Sequence, residues 1–388
     1  MNFDEHIDRR NTHSSKWDMM EPLYGVSPDD GISMWVADMD FRPPQVVQDK
    51  LTEVTEHGIY GYYGGDGPYL DAIQWWMKNR HGWDVPRAGI FTTHGLVHGT
   101  AMCVDTFTAP GDGVVLFTPV YHAFAKVIRA NDREVIELPL ALNAGRYEMD
   151  FDAYDAVLPN HARMVVLCSP HNPGGRVWSR AELEQVAAFT KRHDLILVSD
   201  EIHHDLTFGA KHTPMALIEG ITNRLIMMTA STKTFNIAGC HSGNVIIEDL
   251  DLRARFSKRM QGLGLSPNSF GLHMVTAAYS PQGAEWVDEL IRYLDGNRQI
   301  FDAGINVIPG VKSMSLDSTY LAWVDFSGTG MTLDEVITRV QKQAKIAANY
   351  GPTFGTGGEK FLRFNIGTTR ANVERAVANM LSAFADLQ

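Results

Sequence analysis

Thr229-Ala230-Ser231-Thr232-Lys233-Thr234-Phe235-Asn236-Ile237-Ala238-Gly239 is the stretch on which the reading of this 388-residue chain turns. The run before it, Arg224-Leu225-Ile226-Met227-Met228, is apolar and of strand length, so Lys233 falls in the loop leaving a buried strand. Strand ends of parallel sheets are where α/β proteins place their chemistry. A lysine amine among small hydroxyls can be desolvated, lowered in pKa and made a nucleophile toward an aldehyde. Taken alone, the segment reads equally well as a polar loop with a solvated lysine. The rest of the chain decides.

Outward from this stretch, residues from about 88 to 250 alternate short apolar runs with helical patterns. That alternation predicts an α/β fold with a mostly parallel sheet flanked by helices. Ile90-Phe91-Thr92-Thr93 leads into Gly95-Leu96-Val97-His98-Gly99-Thr100 and an apolar helix through Val104. Free backbone N–H groups at such a helix start can hold an anion. Residues 113–118 form the next strand, followed by Pro119-Val120-Tyr121-His122. Residues 164–168 form another, which leaves through Ser169-Pro170-His171-Asn172-Pro173-Gly174-Gly175. Ser179 with Glu182 makes a capping box for a helix to about His193. Residues 195–199 form a strand ending in Asp200-Glu201-Ile202-His203.

Residues 1–44 lack clear periodicity and read as an extended arm lying across another surface. Pro43-Pro44 opens a helix with Val46, Val47, Leu51 and Val54 on one face. Tyr60-Gly61-Tyr62-Tyr63-Gly64-Gly65-Asp66-Gly67 is too glycine-rich for regular structure and reads as an ordered loop carrying phenolic hydroxyls. Beyond about residue 280 come a helix over 283–307, a strand over 319–325, a helix over 332–344, a strand over 361–366 and a last helix over 370–387. The expected organisation is an arm (1–44) associated with a small domain, a large domain (45–282), and a small C-terminal α+β domain (283–388).

Composition narrows the function. A net charge of −12 argues against nucleic-acid or anionic-membrane binding, which needs a basic surface. No apolar run reaches the ~18–20 residues of a membrane span. The first residues carry acids where a signal peptide needs cations, so a cytoplasmic location is expected. Cys103, Cys168 and Cys240 lie far apart, with neither metal-ligand spacing nor a disulfide framework, so no metal is expected.

Tyr121, Asn172, Asp200 and Lys233 sit where successive predicted strands end, so they can converge on one crevice. Singly, Asp200 reads as a helix cap, Asn172 as a turn residue and Tyr121 as packing. Together they match what a pyridine aldehyde requires. The carboxylate keeps the ring nitrogen protonated, the amide bonds the phenolic oxygen, the aromatic stacks on the ring, and the lysine holds the aldehyde as an imine.

The motifs Lys16-Trp17-Asp18, Met34-Trp35-Val36-Ala37-Asp38-Met39-Asp40-Phe41 and Gly61-Tyr62 carry a family resemblance. So do residues 169–178, Asp200-Glu201-Ile202-His203, residues 233–239 and Phe361-Leu362-Arg363-Phe364-Asn365. With these, nearly the whole chain resembles fold-type I pyridoxal-phosphate (PLP) enzymes, the aspartate-aminotransferase superfamily. More narrowly it resembles the MalY/PatB-type cystathionine β-lyases within the class I/II aminotransferases. The tryptophan-bearing N-terminal run and His171 favour that branch.

The resemblance implies that Lys233 is the Schiff-base lysine and the base for the substrate Cα proton. Asp200 would pair with the pyridine nitrogen, Asn172 and His203 would lie near the ring oxygen, and Tyr121 would stack on the ring. Gly95, Leu96, Val97, Ser231 and Thr232 would hold the phosphate, with Tyr62 reaching it from the other subunit of a homodimer. Arg363 would clamp the substrate carboxylate, a bidentate task for which lysine is a poor substitute. Trp35, Tyr320 and Asn172 would shape the substrate pocket. Read from the residues alone, His203 also fits a solvent-facing helix start, and Arg363 the solvent face of a strand. Thr232 and Ala230 depart from the serines many relatives carry there. The activity implied is β-elimination from cystathionine or another S-substituted L-cysteine. The alternatives are amino transfer on the same scaffold and a catalytically silent regulator-binding protein.

Overall fold

The structure is a computed structural model, which describes residues 1–387. Its centre is a seven-stranded sheet in the order Ile90–Thr93, Gly243–Ile246, Leu225–Thr229, Ile196–Asp200, Ala162–Cys168, Gly113–Thr118, Glu134–Pro139. All neighbours are parallel except Gly243–Ile246, which is antiparallel to both strands beside it. The central strands Gly113–Thr118, Ala162–Cys168, Ile196–Asp200 and Leu225–Thr229 are almost wholly buried on both faces, which is why they read as apolar runs; the parallel edge strand Glu134–Pro139 is part-exposed. Alternate residues serve two cores. Val114, Leu116, Met164 and Val166 join one, while Val115, Phe117, Val165 and Leu167 join the other.

A second sheet of four antiparallel strands lies in the C-terminal part: Lys312–Ser313, Leu321–Asp325, Phe361–Asn365 and Asn349–Tyr350, in that order. Pro281–Ile305 packs against Arg370–Ala383 beside it. The sequence announced two of these strands; the other two have two residues each. The helix expected over 332–344 keeps α geometry only from Leu333 to Thr338, and Arg339–Gln343 widens into a π turn. Lys345 then adopts a positive φ of 55° and the chain pairs at Ile346–Ala347 with Ile32–Ser33.

That pairing ties the N-terminal residues to the C-terminal part of the molecule. The arm is less extended than expected, since Ser15–Asp18 and Met20–Tyr24 are short helices. The Ser179–Glu182 capping box is present and starts the helix Arg180–Arg192; such caps contribute about 1 kcal/mol. Among the described residues, no helix is long and apolar enough to cross a membrane.

Candidate active site

Register brings the site together. Cys168 pairs with Asp200, and Asp200 with Met228, so the carboxyl ends of three strands lie side by side. The loops leaving them carry Asn172, His203 and Lys233, and Tyr121 follows the neighbouring strand Gly113–Thr118. A cavity of about 280 Å³ opens at this edge, lined by Tyr121, Asn172, Asp200, His203, Thr232 and Lys233. Gly95, Leu96 and Val97 close one end, at the start of the helix Leu96–Phe107. Gly95 takes a φ of +83°, and a Cβ on Gly243 would stand 3.0 Å from the Gly95 carbonyl carbon, so glycine at both positions lets strand and helix start meet.

The buried groups here are under-partnered. Asp200 is buried and makes no salt bridge among the described residues; its carboxylate accepts one hydrogen bond, from the Ile202 N–H at 3.1 Å. Burial pushes its carboxyl up to about 7, against the pull of that bond. Burial likewise lowers the Lys233 amine to about 8, with Arg363 adding to the effect and Asp38 and Asp200 opposing it. Lys233 Nζ donates to the Ala37 carbonyl at 2.5 Å. His203 is 2% exposed, which excludes a solvent-facing role. Burial first, then Lys233 and Arg363, press it down to about 3, and its Nδ1 has no partner. Ser231 is buried with an unpartnered hydroxyl.

Arg363 is also 2% exposed rather than on a solvent face. Its Nη1 donates to Asn172 Oδ1 at 3.1 Å, and its Nη2 to Asn349 Oδ1 at 2.5 Å and to the Trp35 carbonyl at 2.9 Å. Its Nε is buried without a partner. Asn349 Nδ2 in turn donates to the Tyr24 hydroxyl at 3.1 Å. The Trp35 ring turns away to Tyr24, 5.2 Å between centroids, and its Nε1 bonds the Lys16 carbonyl. Tyr320 is fully buried and donates to the Ala37 carbonyl at 3.0 Å. Ser231, Trp35, Tyr320 and Arg363 therefore surround the cavity without lining it. Tyr62 is fully exposed and is not part of the cavity within one chain.

Residues 34–41, within the arm read from the sequence, form a strap at the site whose contacts the sequence did not announce. Asn236 bonds the Met39 N–H, the Met39 carbonyl and the Phe41 carbonyl at 2.7–2.8 Å. Asn365 holds the Val36 and Asp38 carbonyls. Arg9 bridges Asp38 and Asp40, and the fully buried Lys16 bonds Asp40 at 2.9 Å. The element touching Lys233 is a backbone carbonyl, for which no side chain gives a signal. His94, Phe124, Cys168 and His241 also line the cavity.

Residues 32–380 match the model of the aminotransferase class I and II family. The chain is 40% identical over 390 residues to cystathionine beta-lyase PatB of Bacillus subtilis, covering 99% of this chain and 100% of that protein. It is 30% identical to protein MalY of Escherichia coli, covering 98% of each. Cystalysin from Treponema denticola, whose crystal structure contains pyridoxal 5'-phosphate, superposes with a TM-score of 0.94 at 34% identity, over 100% of this chain and 99% of that one. With a fold-type I architecture and a site at the carboxyl edge of its sheet, the chain belongs to the aminotransferase class I and II family.

Proposed function

We propose that this protein is a PLP-dependent carbon–sulfur β-lyase that cleaves L-cystathionine or another S-substituted L-cysteine to a thiol, pyruvate and ammonia. The observation that carries the reading is one cavity bordered by a buried, unpaired carboxyl, an amine lowered toward neutrality and a bonded amide–guanidinium pair. Full-length likeness to a cystathionine beta-lyase supports the lyase reading.

The donor set fits pyridoxal phosphate. Asp200 lacks a cationic partner among the described residues and can take a ring N–H. His203, whose Nδ1 is unpartnered, and Asn172 would lie near the ring oxygen, and Tyr121 would stack on the ring; all three line the cavity. The N–H groups at Gly95–Val97, with Ser231 and Thr232, offer a phosphate cradle beside a 12-residue helix. When bound, the cofactor supplies an aldehyde that takes up an amine and a ring that withdraws the electron pair left at Cα.

The chain's own residues then divide the work. Lys233 would hold the cofactor, and its amine, lowered by burial to about 8, would take the Cα proton near neutral pH. Arg363, held beside the cavity by Asn172 and Asn349, would clamp the α-carboxylate. The strap keeps water from that side of the cavity. The Cβ–S bond breaks with its electron pair leaving on sulfur, which takes a proton as thiol, and water converts the three-carbon fragment to pyruvate and ammonia. We infer that the protein is a cytoplasmic homodimer in which Tyr62 of the partner subunit completes the phosphate site; its full exposure in one chain and the three buried free cysteines support this. An arm (1–44), a large domain (45–282) and a small domain (283–388) complete the proposal.

Purified holoenzyme incubated with cystathionine and simple S-alkyl cysteines tests the proposal. Stoichiometric pyruvate and thiol are expected. Conversion of amino acids lacking a β leaving group to their keto acids, with no thiol from the cysteine conjugates, would establish an aminotransferase instead.

A further inference from the structure

The Thr234 hydroxyl, one residue past Lys233, bonds a buried carboxylate that the proposed chemistry does not use. Asp205 is 4% exposed with a side chain wholly shielded, and it gathers donors from three parts of the chain. His81 Nε2 bonds Oδ1 at 2.7 Å, Trp76 Nε1 donates to Oδ1 at 3.0 Å, and the Thr234 hydroxyl donates to Oδ2 at 2.8 Å. His204 Nε2 stands 3.2 Å from Oδ2 but off the line of a hydrogen bond. Burial would raise this carboxyl, yet His204 and His81 outweigh it and hold it well below the usual carboxylate range. His81, His204 and Asp205 are close enough to share a metal ion, but the carboxylate already accepts three hydrogen bonds, which favours a hydrogen-bond hub.

The position of the hub gives it a consequence for the site. Thr234 follows Lys233 and is fully buried. Its main-chain neighbours are folded into a tight turn by the bonds Phe235 N–H to Ser231 C=O at 2.9 Å and Ile237 N–H to Thr232 C=O at 3.0 Å. A hydroxyl fixed at one residue of that turn fixes the direction in which the preceding side chain leaves it. His81 and Trp76 belong to the helix Gly67–His81, so the anchor is set in the rigid body of the protein rather than in another loop.

We propose that Asp205 is a positioning residue for Lys233, acting through the Thr234 hydroxyl. This rests on the PLP reading above. Without the bond the turn keeps its backbone contacts, but the amine is no longer aimed at one point between the Ala37 carbonyl and the cavity. The effect falls on the chemical step and on the environment of the amine, which faces Asp38, Asp200, His203 and Arg363.

Thr234→Val, Thr234→Ser and Trp76→Phe holoenzymes test this, read by the pH midpoint of the visible absorbance, by kcat and KM separately, and by thermal unfolding. Thr234→Val is expected to move the midpoint by at least half a pH unit and lower kcat tenfold or more with KM within twofold. Thr234→Ser keeps a hydroxyl and should recover most of both. Trp76→Phe removes a donor from the same carboxylate but keeps an aromatic ring against Phe235 of the turn and leaves the Thr234 bond intact, so it should lower the melting temperature and leave the midpoint in place. A Thr234→Val enzyme with the wild-type midpoint and kcat overturns the proposal, as does a Thr234→Ser enzyme no better than valine or a Trp76→Phe midpoint that moves equally. A wild type without a visible band defeats the PLP reading itself, which is a different result from a normal band that the substitutions fail to move.

Discussion

Asp200→Asn in the cofactor-free protein separates what this site costs from what it does. The folded carboxyl stands at about 7 against an ordinary value of 3.8, because burial penalises the anion and the single Ile202 N–H does not compensate. The sign follows directly. Below pH 3.8 the group is protonated in both states; as pH rises through 7, the unfolded chain has already gained the ionisation that the folded chain resists. Stability from this group is therefore present in acid and lost toward neutrality, by about 4 kcal/mol in all. Between pH 5 and pH 8 the wild type should lose about 3 kcal/mol relative to Asp200→Asn, which cannot ionise. Urea unfolding of both proteins across that range measures the gap. Curves that stay parallel within about 0.5 kcal/mol would refute the assignment of a strained, unpaired carboxyl at this position. In the holoenzyme the same substitution should lower kcat/KM by roughly 10³-fold or more, because the ring nitrogen loses its anionic partner.

Arg363→Lys exchanges a planar fork held by Asn172, Asn349 and Trp35 for a single point charge. One to two charge-assisted bonds are lost, about 3 kcal/mol or ~10²-fold in kcat/KM, mainly through KM, in steady-state kinetics. Asn236→Ala removes three bonds to the strap, about 3 kcal/mol at roughly 1 kcal/mol each, and should lower the melting temperature by roughly 5 °C in calorimetry. Because only the neutral amine attacks an aldehyde, the rate at which cofactor-free protein takes up pyridoxal phosphate should climb with pH and level off above about 8, followed by stopped-flow absorbance.

The central parallel strands were legible because burial on both faces leaves few polar positions; residues 113–118 and 164–168 read as apolar runs for that reason, whereas the part-exposed edge strand Glu134–Pro139, with two glutamates, did not. Gly243–Ile246 was not, since Gly-Asn-Val-Ile holds two poor strand formers and its place is set by the strands on either side. Ile32–Ser33 was invisible for a stronger reason: its partner, Ile346–Ala347, lies some three hundred residues away, and two residues carry no period. Lys233, Asp200 and Asn172 stood out as polar groups at strand ends, a position the register then converts into proximity. The burial of His203 and Arg363 depends on how the strap and the C-terminal sheet pack against the site, which local sequence does not specify. Asp205 gave no signal in the sequence because its four partners come from helix, loop and turn at once.

Everything above depends on one amine. Borohydride reduction of the holoenzyme, followed by digestion and peptide mass spectrometry, reads it directly. A phosphopyridoxyl mass on Lys233 alone, with loss of the visible band, is the expected result. The same mass on another lysine, or an unlabelled peptide spanning 225–240 from a protein that has bound the cofactor, would contradict it.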